Sequence, residues 1–597
     1  MAIQARNLQP GRAWLWLRTG ARLGPLPLAR YGWHRLRLAA GLPQRALSSP
    51  AALPDTPLFP DGFSGAPPAL DAAAKARLRA ALAALPGPVR HGGFDAAAPA
   101  LGLDLFGPGD IRPVWEANRL AWLPLRVQAA RLWPAEGHQA ALESSWQAWW
   151  AANPPYFGPN WACGQEAALR ILHLGLALVL AGRPPSPAAR AFLRIHAARI
   201  AATASYARAQ DNNHAISEPA GLLAAAWLLQ DAAGAARAEQ ALSAAMARLV
   251  AADGGFAPVS TGYHRLLLDT LGALEAIRRH LGRPALAAPI PARAAAAAVW
   301  LARVMAPGGA LPRLGHQDSS ALADLGAHGA GDARGSVERA LRLFAGFSLT
   351  EAEPGCAWLG LGPAPPLPRA ASWTATGSRG WAVAGARALL RTGPLRFRPG
   401  QADLLHCEFW DGDTPLLTDA GTGAYNPPPG ARWWLDYFPA QAAHNTIQFD
   451  GQEPMPRLGR FLFGAWPRVS ALPQGAMVTD RFGRRHRRQI CAEGRHWLVT
   501  DLVEGEFARA VLRWRLGPGD WALQADGVAG PARLRITADA PLTLRLERGW
   551  ESPAYGQVRP CRVLAAEAEA PLRCLLTRIL LPPLAAAPEA PCRSTSC

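Results

Sequence analysis

From about residue 70 to 345, apolar residues recur at three- and four-residue intervals, the spacing that gathers them on one helix face. Segments near 72–85, 113–133, 138–150, 163–181, 186–204, 217–229, 235–251, 263–281, 291–305 and 336–345 carry this pattern, and Gly, Pro, Asn and Asp clusters separate them. Nine or ten such helices in antiparallel succession close into a ring or stack as a solenoid, and no fixed repeat period chooses between the two. Near residue 350 the texture changes. WAVAGARALLRTG, HCEFWDG, PLLTDAG, HNTIQFDG, HWLVTDLVEG, AVLRWRLG and RLRITADAPLTLRLERG are short, partly alternating runs between turns. Regularly spaced strands of this kind predict an antiparallel β-sandwich. The chain therefore divides into an arginine- and proline-rich arm (1–68), a helical domain (69–352), a β domain (353–585) and a tail (586–597).

Composition narrows the classes. The 597 residues exceed what one hydrophobic core usually serves, and half of them are apolar, ample for folded domains. The formal charge of +18 favours a polyanionic partner: nucleic acid, an anionic membrane surface or an acidic glycan. No helix-turn-helix, zinc-finger, RNP or Walker A pattern is present, so no nucleic-acid partner is expected. A basic proteome with solvated arginines would give the same charge. The eight cysteines form no CxxC pair, which excludes a zinc ribbon or thioredoxin-like motif. The N-terminal apolar runs are broken by arginine every few residues, so no signal-peptide core is legible. No transmembrane segment is expected either: the richest stretch, Ala162 to Gly182, carries Glu166, Arg170 and His173 and reads as a buried amphipathic helix. RFGRRHRRQ (481–489) reads as an exposed strand and turn that attracts polyanions.

Four polar islands interrupt the alanine-rich background. Asp211-Asn212-Asn213-His214 precedes AISEPAGLLAAAWLL; it suits helix capping, with Ser217 a second cap, or binding of a carboxylate by Asn213 and His214. Thr261-Gly262-Tyr263-His264-Arg265 opens a helix. Tyr263 is either an interface aromatic or a proton-transfer group, the latter needing a cation such as Arg265 to lower its pKa from roughly 10. Arg313 to Ser319, with His316 and Asp318, is a polar loop that lines a cleft or faces water. The longest island, RPGQADLLHCEFWDGDTPLLTDAGTGAYNPPPGARWWLDYFPAQAAHNTIQFDGQEP, places Asp403, His406, Glu408, Asp419 and His444 within strands. Such residues face water or, from different strands, hold a divalent metal.

Together these islands resemble the heparinase II/III-like polysaccharide lyases. The likeness runs from about residue 110 to 500 through DIRPVWEANRL, NPPYFGPNWACGQEAALRILHL, NNHAISEPAGL, GYHRLLLDTL, QADLLHCEFWDGDTPLLTDAGTGAYN and AAHNTIQFDGQEPMPRLGRF. It is nearest to the branch found beside bacterial capsule and exopolysaccharide genes. The resemblance implies an incomplete (α/α) toroid followed by an antiparallel β-sandwich, and β-elimination at uronic acids of an anionic polysaccharide. Asn213 and His214 then neutralise the uronate carboxylate, and Tyr263 moves a proton. Glu218, His264, Arg265, His316, Asp318 and Tyr437 are the expected substrate contacts. Where relatives carry H-x-H-x-D, this chain has Pro399-Gly400-Gln401-Ala402-Asp403, losing a catalytic imidazole for which His406 is the expected substitute. It also loses one of three ligands to a structural zinc, leaving Gln401, Asp419 and His444. No cofactor is required for the elimination itself. The resemblance implies the cell envelope or periplasm, and the absence of a legible export signal the cytoplasm. The competing expectation is a catalytically degenerate, glycan-binding accessory protein of exopolysaccharide or capsule assembly. A glycoside hydrolase on a similar toroid would need two cleft carboxylates at suitable separation, and the helical half shows no such pair.

Overall fold

A computed structural model describes residues 10–47, 56–85, 91–107 and 109–583. Three helices form the arm: α1 (Pro10–Leu23), α2 (Pro25–Ala39) and α3 (Leu42–Ala46). The helical domain follows with α4 (Ala72–Ala83), α5 (Arg112–Ala117), α6 (Trp122–Leu132), α7 (His138–Ala152) and α8 (Gly164–Ala181). It continues through α9 (Pro187–Gln210), α10 (His214–Leu229), α11 (Ala232–Leu249), α12 (Thr261–His280), α13 (Ile290–Val304) and α14 (Arg334–Ala340).

Local chemistry sets these boundaries. Ser186 caps α9 through the Ala189 N–H ahead of Pro187, Asp231 caps α11 through Gly234, and Ser260 caps α12 through Tyr263. Gly182, at φ 63°, ends α8 in the left-handed conformation that glycine reaches without strain. The single helix expected over 113–133 is two, α5 and α6, broken where Leu120 takes φ 62°.

Alternate helices pack side by side: α6 on α8, α8 on α10, α10 on α12 and α12 on α14. The helices between them, α7, α9, α11 and α13, cover this inner row from outside. Two concentric layers of this kind make the incomplete (α/α) toroid. Inner position explains α8, which is long and apolar enough to cross a membrane yet is 94% buried within the fold.

After α15 (Pro354–Trp358) the chain turns to antiparallel sheet. A five-stranded meander runs from Ser372–Ala375 to Thr414–Leu417. An eight-stranded sheet is centred on Arg485–Glu493, His496–Glu504 and Cys574–Leu580. A four-stranded sheet sets Arg509–Arg515 between Ile447–Phe449 and Arg559–Glu569. Side chains from all three sheets, including Trp381, Phe409, Trp497 and Trp514, share one apolar core, the interior of a sandwich. Trp373, Ala375 and Leu389 instead join the toroid's core and weld the two halves.

The basic run 481–489 departs from its expected exposure. Along Arg485–Glu493 burial alternates, so His486 and Arg488 point inward, both on Asp501, while Arg484 is buried against Asp480. A strand turns successive side chains to opposite faces, so half of this cation cluster is structural and only half meets solvent.

Candidate active site

A cleft of about 500 Å³ lies where the open side of the toroid meets the sandwich. Asn213, His214, Glu218, Tyr263, His316 and Asp318 line it from the helical side, and Gln401, Asp403 and Tyr425 from the other.

The start of α10 sets Asn213 and His214 on the cleft wall. Asn213 is the N-cap residue but makes no side-chain capping bond; the Asn212 Oδ1 accepts the His214 N–H at 3.1 Å. The Asn213 side chain instead donates to Gln165 Oε1 at 2.6 Å. His214 and Glu218 are one helical turn apart and therefore share a face, with Nδ1 3.3 Å from the carboxylate. Burial opposes charge on the His214 ring, but Cys163 and Glu218 outweigh it and push its pKa up to about 10. His214 is thus an imidazolium at neutral pH, a cation on the cleft wall.

Tyr263 donates its phenolic hydrogen to Asp318 Oδ2 at 3.1 Å, and its oxygen lies 2.8 Å from the Tyr425 hydroxyl. Since Tyr263 spends its single hydrogen on the carboxylate, Tyr425 is the donor in the second bond. Burial, then Asp318, raises the Tyr263 pKa and keeps the phenol neutral. Asp318 is held by Arg112, whose Nε is 3.3 Å away, and by the Ser320 N–H at 3.0 Å. Burial would raise the Asp318 pKa, but Arg112 and Ser320 overcome it and keep the acid ionised. Arg112 also faces Glu166, which Arg119 grips through two bonds of 2.7 and 2.9 Å. A buried lattice of alternating charges thus underlies the tyrosine pair.

His316 offers a different nitrogen chemistry. Its Nε2 lies 3.1 Å from the Gly400 carbonyl, which can only accept, so Nε2 carries the hydrogen and Nδ1 the lone pair. Burial lowers its pKa, leaving the ring neutral. It rests on Gly400 so closely that a Cβ there would lie 2.4 Å from Nε2. At the cleft mouth Arg35 and Arg396 are exposed and have no carboxylate partner among the described residues.

Four expected site residues lie elsewhere. His264 is buried against Trp300, ring centroids 4.5 Å apart, with Nε2 on the Ala297 carbonyl. Arg265 turns to Ser336 and the Ala330 carbonyl, so Arg112 rather than Arg265 is the cation near Tyr263. Neighbours on a helix point about 100° apart, and only Tyr263 of the three reaches the cleft. Tyr437 is bound to Arg515 and the Trp550 N–H within the sandwich. His406, the expected substitute imidazole, is wholly buried and does not line the cleft.

His406 instead joins the corner where the resemblance implies zinc. His444 Nδ1 lies 2.6 Å and His406 Nε2 3.4 Å from Asp419 Oδ2. Gln401 is turned away, its amide nitrogen donating to the Gly421 carbonyl at 3.0 Å. The His406 Nδ1 accepts the Asn445 N–H at 2.9 Å, so the ring's hydrogen sits on Nε2, facing Asp419. A zinc ligand needs a lone pair on that nitrogen. His406, Asp419 and His444 bring ligand atoms within 4.8 Å of one another, and Gln401 Oε1 and the Nε2 of both histidines have no hydrogen-bond partner among the described residues. The hydrogen on His406 Nε2 nevertheless leaves that nitrogen without a lone pair for zinc in the ring's present placement.

Tyr425, Gln165 and Arg112 were not singled out from the sequence, although each falls inside a segment that carries the family likeness. Tyr425, one of only seven tyrosines, was the legible signal.

Residues 366–581 match the family model described as heparinase II/III-like, C-terminal. No curated protein matches the chain. Among solved structures, one heparinase III aligns over 96% of this chain and 94% of its own at 14% identity, TM-score 0.58. Another heparinase III covers 96% and 93% at 15% identity, TM-score 0.56. The heparan sulfate lyase HepC from Pedobacter heparinus covers 92% and 90% at 16% identity, TM-score 0.51. At these identities the likeness is one of fold, toroid and sandwich together.

Proposed function

We propose that this chain, whose residues 366–581 match the heparinase II/III-like C-terminal family model, is a polysaccharide lyase acting on a uronate-containing, anionic polysaccharide by β-elimination. The observation that carries this reading is convergence. Asn213 and His214 at the start of α10, the Tyr263 phenol on α12 and the neutral His316 imidazole line one cleft.

In this reading the uronate carboxylate sits against Asn213 and the His214 imidazolium. Their hydrogen bonds and charge offset the negative charge that develops on the carboxylate as the C5–H bond breaks. His316 Nδ1 receives the C5 proton, and the C–H electron pair forms the C4=C5 double bond. The C4–O4 bond breaks, and Tyr263 passes its proton to the departing O4. Tyr425 is placed to resupply that proton, and Asp318, pinned by Arg112, orients the phenol. His316 thereby takes the role that Pro399 cannot fill. Arg35 and Arg396 at the mouth suit further anionic groups along the polymer.

The test is ultraviolet absorbance of the unsaturated uronate on a panel of acidic polysaccharides. At least one polymer should give a rise that Tyr263→Phe and His214→Ala abolish. Tight binding across the panel with no rise would replace the lyase by a glycan-binding accessory protein.

A further inference from the structure

The arm presents an apolar surface that the fold leaves uncovered. On α1, Trp14, Leu17 and Ala21 recur at helical spacing and face outward, with Trp14 62% and Leu17 68% exposed. On α2, Leu26, Ala29, Trp33 and Leu36 form a second stripe, with Trp33 57% and Leu36 65% exposed. Seven of the thirteen exposed large hydrophobic side chains among the described residues belong to α1–α3. The opposite faces are anchored. Thr19 is buried, Leu23 packs on Ala402, Met455, Phe463 and Trp466, and His34 stacks on Tyr206 at 4.7 Å. The stripes are therefore the outer faces of docked helices.

Charge identifies what covers them. Residues 1–54 contain eight arginines and no lysine, aspartate or glutamate. None of the ion pairs among the described residues involves residues 10–47. Arg18 on α1 and Arg45 on α3 are exposed, as are Arg22, which donates to the Trp466 carbonyl, and Arg35, which lines the cleft. A second copy would bring two carboxylate-free, arginine-rich faces together, which repulsion opposes. Helices with Trp and Leu on one face and Arg beside it suit the interface of an anionic bilayer, where indoles sit at headgroup depth and guanidinium groups reach the phosphates.

We propose that α1 and α2 dock the protein on an anionic lipid surface. The inner face of α2 supplies Tyr31, His34, Arg35 and Leu38 to the cleft wall, so docking would hold the cleft mouth beside the membrane. The proposal does not depend on the lyase reading, because its test uses lipid alone.

The full-length protein is sedimented with phosphatidylcholine vesicles, with and without phosphatidylglycerol, at low and high salt. The wild type should pellet only with the anionic vesicles, and less at high salt. Replacing Trp14, Leu17, Trp33 and Leu36 by serine should weaken partitioning by at least about tenfold, with the far-ultraviolet spectrum unchanged. If that variant misfolds, the lipid-charge and salt dependence of the wild type still decides. Equal pelleting with both lipids, pelleting with neither, or a dimer in light scattering that the serine variant dissolves would overturn the proposal.

Discussion

The hydroxyl of Tyr263, on α12 of the toroid, lies 2.8 Å from that of Tyr425, on a loop of the sandwich. In the proposed reaction a proton donor from one domain would be resupplied by a group from the other. Tyr263→Phe should lower kcat by about 10²–10⁴, the usual worth of a positioned proton-transfer group. Tyr425→Phe should lower kcat less, leave KM unchanged, and be visible in single-turnover kinetics. Equal, full activity in both variants would remove the pair from the reaction.

The pH profile follows from two histidines with opposite shifts. His316 must be neutral to accept a proton, and burial holds its pKa below the ordinary 6.5, so kcat/KM should rise to a plateau at mildly acidic pH. His214 must be charged, and its pKa of about 10 keeps the plateau intact until activity falls as pH rises through that value. Its contribution to stability has the same sense: fully present below the unfolded-state pKa near 6.5 and lost as pH rises through the folded-state value. His316→Ala should remove the acidic limb together with most of the rate, and Glu218→Gln should move the alkaline limb downward.

Arg112 ties Asp318 to Glu166 in the buried lattice. Removing one partner of such a pair strands the others, at a cost of about 3–5 kcal/mol. Arg112→Met should show this in denaturant unfolding and should also depress activity, because Asp318 then lacks the charge that keeps it ionised.

Much of this was legible beforehand. Helix positions emerged from apolar spacing because inner and outer helices of a toroid each bury a defined face, as α8, α10 and α12 do. The pair His214 and Glu218 could be read as co-facial from their four-residue separation. What the pattern could not supply was phase. Tyr263, His264 and Arg265 are consecutive, yet the cap at Ser260 fixes a rotation that sends only the tyrosine into the cleft. Contacts made across the domain boundary, such as Tyr263 with Tyr425 and His316 with Gly400, have no local signature at all. Tyr437 reads as a substrate contact in the sequence because nothing along the chain reveals its partners, the Arg515 guanidinium and the Trp550 N–H, that hold it in the sandwich.

At the Asp419 corner the expected result is metal independence. Purified protein should carry well under one zinc per chain, and a chelator should leave Tm and activity unchanged. Asp419→Asn, which strips the shared acceptor from His406 and His444, should lower Tm. Stoichiometric zinc lost together with stability on chelation would show that His406 rotates to serve as a ligand.

The most direct measurement is proton NMR of the digestion products from a uronate polymer that the enzyme cleaves. Elimination at the cleft predicts the vinylic H4 resonance of a 4,5-unsaturated uronate at every new non-reducing end, and none with Tyr263→Phe. New non-reducing ends bearing saturated uronates would mean hydrolysis, and would contradict the assignment of Asn213, His214, Tyr263 and His316 to a lyase site.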